Sequence, residues 1–128
     1  MSKAARIHDY LGHILLAIDR IGRYTASLDE ADFLRSELVQ DAVIRNIEII
    51  GEAANSVQRA DPDFAALHGS IPWQVMYTMR NRVSHAYDKV DLEIVWNTVR
   101  TDLPGLRLLI QNLQTSIAAP PAGMPRSG

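Results

Sequence analysis

The chain has 128 residues, with 13 Lys and Arg against 15 Asp and Glu, a formal charge of −2 and no cysteine. That length makes one domain with a single core, and the missing thiols exclude a disulfide framework and any thiolate metal site. The slight negative charge argues against a protein that coats nucleic acid non-specifically, yet leaves room for a small local phosphate site.

Hydrophobic spacing predicts a first helix over about Lys3–Ser27, where Ile7, Tyr10, Leu11, Ile14, Ile18 and Ile21 recur at three- and four-residue steps. Leu15, Leu16 and Ala17 widen that face enough for two neighbours. His8, Asp9 and Asp19 interrupt it, so a signal-peptide apolar region is not expected. No run approaches the length of a membrane span, and the lack of cysteine fits a reducing cytoplasm. Asp29 is placed to cap a short helix holding Phe33 and Leu34. From Ser36 the helical period resumes through Leu38, Val43, Ile47, Ile50, Ala54 and Val57 to about Ala60, and Asp61-Pro62 ends it. Gly51 lies inside this helix, where glycine costs about 1 kcal/mol against alanine; close packing of another helix would account for it. Phe64 to Ser70 read as a short helical turn and loop. Ile71-Pro72-Trp73 opens the next helix, with Trp73, Met76, Tyr77, Arg80 and Ser84 along one stripe and an end near Tyr87. Asp88 to Asp91 form the connection, and Asp91 is expected to cap the final helix. That helix turns Ile94, Val95, Thr98, Leu103, Leu106, Leu109, Ile110 and Leu113 to the core, with a kink or restart at Pro104. Trp73 and Trp96 read as core or dimer anchors. The expected architecture is all-α, an antiparallel four-helix bundle over residues 1–117, with a disordered Pro- and Gly-rich tail over 118–128.

The chemistry concentrates in Met79-Arg80-Asn81-Arg82-Val83-Ser84-His85-Ala86-Tyr87-Asp88. A histidine exchanges a proton near neutral pH, and an arginine holds a phosphate through a planar fork of donors. Together they are minimal equipment for breaking a phosphodiester without a metal or cofactor. On an ideal helix, turning about 100° per residue, Arg80, Ser84 and Tyr87 share a face while His85 lies about 140° from Arg80. The reach of the arginine, a distorted helix end or a second subunit can close that gap, and a site across a two-fold axis is the simplest of these. Taken singly, Arg80 and His85 would decorate a solvated helix end and complement its dipole, and Tyr87 would be a packed ring with a wet hydroxyl. Glu48 and Glu52 lie one helical turn apart, with Glu37 and Asp41 on a similar face. Paired carboxylates of this kind occur in metal-dependent nucleotide pyrophosphatases. Ion pairing with Arg45 or with the arginine of the next helix is the plainer account, because a metal site needs further acidic ligands. His8, His13 and His68 show no metal spacing.

Arg80 to Tyr87 resembles the RX4HXY motif of HepT-type toxins in the HEPN ribonuclease superfamily. Ile44 to Ala54 resembles that family's second-helix signature, and Ile71-Pro72-Trp73 and Val90 to Trp96 match its flanks, so the likeness runs from about Met1 to Ile117. The resemblance implies an all-α homodimer whose motif helices meet in a cleft, and metal-independent RNA cleavage. It also implies a partner, an MntA-type nucleotidyltransferase antitoxin that modifies the motif tyrosine with AMP. Arg80 and His85 would then be catalytic and Tyr87 the modified residue. RNA supplies its own nucleophile, the 2′-hydroxyl, so His85 need only move protons while Arg80 stabilises phosphate charge. Asn81, Arg82 and Ser84 would support the site, with Asn81 orienting a phosphate or the imidazole. A second reading is a non-catalytic helical partner of a nucleotidyltransferase that binds nucleotide or RNA; a third is the carboxylate pyrophosphatase through Glu48 and Glu52.

Overall fold

Apolar residues at helical spacing, separated by Ser and Asp caps, divide the chain into long and short helices. In the computed structural model, residues 2–85 and 88–117 are described, apart from the side chain of Val90. The elements are α1 (Lys3–Thr25), α2 (Glu30–Leu34), α3 (Glu37–Ala60), α4 (Pro62–Leu67), α5 (Trp73–Val83), α6 (Lys89–Asn97), a π-helical turn (Thr98–Asp102) and α7 (Leu103–Ser116). No strand occurs among the described residues, and none of their helices is long and apolar enough to cross a membrane. Tyr87 and the tail after Ile117 lie outside the described residues.

Each start has a local cause. Ser2, Asp29, Ser36 and Asp61 accept backbone N–H groups of the first turns of α1, α2, α3 and α4. Asp29 and Asp32 exchange bonds reciprocally, Asp32 N–H to Asp29 Oδ1 at 2.8 Å and Asp29 N–H to Asp32 Oδ2 at 3.1 Å. Two expectations are corrected at the α5–α6 junction. The cap of α6 is Asp88 rather than Asp91: Asp88 is extended, and its Oδ1 accepts the Asp91 N–H at 2.9 Å. α5 also stops at Val83, short of Tyr87, with Ser84 as its C-cap; the extended Asp88 that opens α6 sets only the latest point at which it could end.

α1 packs between α7 and α3, and α3 packs between α1 and α5. Neighbours run antiparallel. Gln114 reaches the His8 carbonyl while Arg107 meets Asp19, and Gln58 meets Gln74 while Glu48 meets Ser84. This is the expected antiparallel bundle. Its core is built on Leu11, Ile14 and Ile21 of α1, Phe33 of α2, Val43 and Val57 of α3 and Ile110 of α7, all essentially inaccessible. Both tryptophans belong to this core. Trp73 Nε1 points at the Ala65 and His68 carbonyls, each at 3.2 Å, and pins the α4–α5 connection. Trp96 stacks on Phe33, centroids 5.2 Å apart, and takes the Arg100 guanidinium 4.4 Å over its ring. Arg100 in turn donates to the Thr25 and Leu28 carbonyls at 2.9 and 2.6 Å, closing the turn after α1.

The fourth side of the bundle is open. α5 and α7 do not pack closely. Between them runs a cleft of about 550 Å³, floored by Ile47 and Ile50 and walled by Val75, Met79, Leu106 and Leu109.

Candidate active site at the end of α5

Arg80 stands in the last turn of α5, and a glycine on α3 sets how near it comes. A Cβ added at Gly51 would lie 2.7 Å from Arg80 Cβ and 2.8 Å from the Met76 carbonyl oxygen, so only glycine admits this approach of α3 and α5. The close packing expected around Gly51 is therefore present, and the element pressed against it is the motif helix itself.

That approach brings two α3 carboxylates onto the motif. Arg80 Nε donates to Glu52 Oε1 at 3.3 Å, and Nη1 donates to Asn81 Oδ1 at 3.0 Å. The Arg80 side chain is 36% exposed, and its Nη2 makes no hydrogen bond among the described residues, which leaves donors for an anion. Ser84, the C-cap of α5, has its Oγ 2.5 Å from Glu48 Oε2 and 2.8 Å from the Arg80 carbonyl. A hydroxyl has one hydrogen, so it serves one of these acceptors at a time. Between them, buried Val83 anchors the helix end in the core.

His85 is exposed in the turn that follows Ser84. α5 ends at Val83, and its C-cap Ser84 keeps αR angles, so His85 stands just beyond the helix end. Asn81 and Arg82 are exposed on the same helix end. The structure thus gathers Arg80, Asn81 and Ser84 with Glu48 and Glu52 into one hydrogen-bonded group. Tyr87, outside the described residues, has no assigned place in it.

The carboxylate pair has found the plainer of its two roles. Glu52 pairs with the motif arginine and Glu48 with the motif serine. Among the described residues no group of three or more His, Asp or Glu side chains comes together as metal ligands would. The sequence offers Arg45 or the motif arginine as partner for this carboxylate face of α3; the packing of α3 on α5 selects the motif arginine for Glu52, and gives Glu48 to Ser84, a partner the sequence did not suggest.

Comparisons with known proteins bear on this arrangement. The profile of the family described as "Ribonuclease HepT-like" matches residues 14–113, a span that contains Gly51, Arg80 and His85. The chain is 42% identical over 106 residues to a protein of Thermococcus cleftensis named "Probable ribonuclease HepT", covering 83% of this chain and 94% of that one. It is also 42% identical over 98 residues to a Methanocaldococcus jannaschii protein named "Gamma-glutamylcyclotransferase and putative RNase", a match covering 77% of this chain but 43% of that longer protein. A "Putative RNase" of the same organism is 31% identical over 98 residues, covering 77% of this chain and 87% of that one. No solved structure matches the chain.

Proposed function

The chain belongs to the HepT-like ribonuclease family, and from that premise we propose that it is a toxin ribonuclease cleaving RNA at Arg80 and His85 without a metal. The observation that carries this reading is the way Arg80 is held: backed by Gly51, fixed at Nε and Nη1 by Glu52 and Asn81, and left with unused donors toward solvent. A preorganised, half-exposed guanidinium is suited to charge that grows on a phosphate. In the step proposed, the 2′-oxygen attacks the adjacent phosphorus, the bond from phosphorus to the 5′-oxygen breaks, and a cyclic phosphate and a 5′-hydroxyl result. His85 takes the proton of the 2′-hydroxyl or returns one to the leaving 5′-oxygen, roles that two copies of His85 divide in a homodimer. Asn81 orients the arginine fork, Ser84 and Glu48 hold the helix end beneath it, and exposed Arg82 adds a second cation for the strand.

Control falls to Tyr87, two residues beyond His85. An MntA-type nucleotidyltransferase would transfer AMP from ATP to its hydroxyl, forming the Tyr–O–P bond and releasing pyrophosphate. The added phosphate would compete for Arg80 or Arg82 with that of the substrate, and the purine would crowd the entry.

Purified wild type, Arg80→Ala and His85→Ala are compared on total RNA in chelator. Loss of about 100-fold or more in rate is expected for each variant, with cyclic phosphate at the product ends of the wild type. Unchanged cutting by a folded variant would refute the assignment, and activity that returns only with added magnesium would favour the Glu48–Glu52 reading. For the control step, incubation with the nucleotidyltransferase and ATP is expected to raise the intact mass by one AMP in wild type and not in Tyr87→Phe.

A further inference from the structure

A second polar hollow lies where the start of α1 meets the end of α3. Arg6 and Tyr10 of α1 and Ser56, Arg59 and Ala60 of α3 line about 400 Å³. Its walls hold two guanidiniums and two hydroxyls and no carboxylate, in a chain whose formal charge is −2. Arg59 is exposed and makes no ion pair among the described residues. Tyr10 is half-buried, and its ring meets that of His13 edge-on at 6.4 Å. This composition suits an anion that also carries a π-face: arginine forks and hydroxyl donors for a phosphate, an aromatic ring for a base.

Position ties the hollow to the motif. Arg59 follows Glu52, the partner of Arg80, by seven residues on the unbroken helix α3. Seven residues are close to two full turns, so both side chains leave the same side of α3, about 10 Å apart along its axis. At about 3.4 Å per stacked nucleotide that is a reach of roughly three nucleotides.

We propose that this hollow is a second phosphate subsite, which holds the RNA strand to one side of the scissile bond, with Arg6 and Arg59 on a backbone phosphate and Tyr10 against a base. The identity of the ligand as substrate rests on the ribonuclease reading above; its binding does not. An acidic chain cannot hold RNA by its overall field, so grip away from the motif has to be local, and this is a local concentration of donors on the motif's own face of α3.

The test separates binding from cutting. Full-length His85→Ala protein is titrated with a fluorescent single-stranded RNA long enough to span both sites, over a series of salt concentrations. Adding Arg6→Ala or Arg59→Ala is expected to weaken binding about 10-fold and to flatten the slope of log affinity against log salt by about 0.7 for each phosphate no longer neutralised. Tyr10→Ala should weaken binding with little change in slope. In protein with His85 intact, the Arg59→Ala defect should fall on KM for long RNA. Unchanged affinity and slope in a folded Arg6→Ala/Arg59→Ala variant would overturn the proposal. So would abolished binding of inorganic phosphate with RNA affinity intact, which would reassign the hollow to free phosphate. Wild type that binds the RNA through these residues yet cuts nothing would overturn the ribonuclease reading and leave the subsite standing.

Discussion

Gly51 and Gly22 both interrupt long helices, and alanine acts on them in opposite senses. At Gly51 the new Cβ meets Arg80 Cβ at 2.7 Å and the Met76 carbonyl at 2.8 Å, the latter backbone that cannot swing aside. Overpacking of that kind costs about 1–3 kcal/mol, more than the ~1 kcal/mol that alanine returns as a helix former. Gly51→Ala should therefore lower the melting temperature by several degrees, and displace Arg80 enough to slow RNA cleavage. At Gly22 nothing lies within 4 Å of the added carbon, so Gly22→Ala should raise stability by up to about 1 kcal/mol. Paired melting curves check both signs. A glycine inside a helical period is legible in the sequence as a point of close approach. That Gly51 faces Arg80 is not legible, because the angles along one helix fix which residues share a face and not which neighbour that face meets. The same limit hides the hollow at Arg6 and Tyr10: Tyr10 falls within the apolar period of α1 and Arg6 outside it, and nothing in that helix shows that Ser56 and Arg59 of α3 come alongside.

Between elements, the junction of α5 with α6 depends on one carboxylate. Asp88 Oδ1 takes the Asp91 N–H at 2.9 Å, while Asp91 itself sits in the first turn. Asp88→Ala should cost about 1 kcal/mol, the usual penalty for removing an N-cap, and Asp91→Ala only about 0.3 kcal/mol from the helix dipole. Midpoints of urea unfolding compare the two. The long helices are readable from their apolar periods to within a few residues, and the short helix after Asp29 from its cap. The start of α6 is not, since Asp88 and Asp91 are both suitable caps and local composition does not choose between them. Pro104 is readable as a disturbance, and what forms is the π-helical turn Thr98–Asp102 just before it, with Leu103 N–H bonding back to the Thr98 carbonyl.

Across the whole bundle, α1 and α7 are tied by Arg107, whose Nε reaches Asp19 Oδ1 at 2.7 Å. The bond from Arg107 holds the Asp19 carboxyl below its usual range. A carboxyl lowered in the folded state adds stability that is present above the unfolded value of about 3.9 and is lost as pH falls through the lower folded value. Asp19→Asn should therefore be less stable than wild type at neutral pH, by no more than about 1 kcal/mol for so exposed a pair. The two should converge as pH falls through the lowered folded value, as denaturation midpoints across pH can establish. The open side between α5 and α7 makes a larger demand. Val75 is 63% exposed and Leu109 40% on the walls of an apolar cleft, beside the helix that carries the motif, and a second copy of the chain is the proposed cover. Light scattering is expected to give twice the monomer mass for wild type and the monomer mass for Val75→Glu, with cleavage abolished alongside. The apolar periods alone suggest such a surface on the first and last helices. Its placement on α5 and α7 follows from which helices pack against α1, which no single segment encodes.

The π-helical turn also says where the chain can change length. A π turn is an α-helix holding one residue too many, so removing one there restores ordinary winding and keeps α6 and α7 on their present faces. Thr101 is exposed in that turn, and its hydroxyl bonds to Asn97 four residues earlier at 3.0 Å rather than to another element of the bundle core. Deletion of Thr101 should leave a folded protein with nearly native melting behaviour. Deletion of Leu108, about two turns further on, would rotate the rest of α7 by about 100°, swinging Ile110 and Leu113 out of the core, and should unfold it. A gap of one residue is thus tolerated at one address in this helix and forbidden a few positions away.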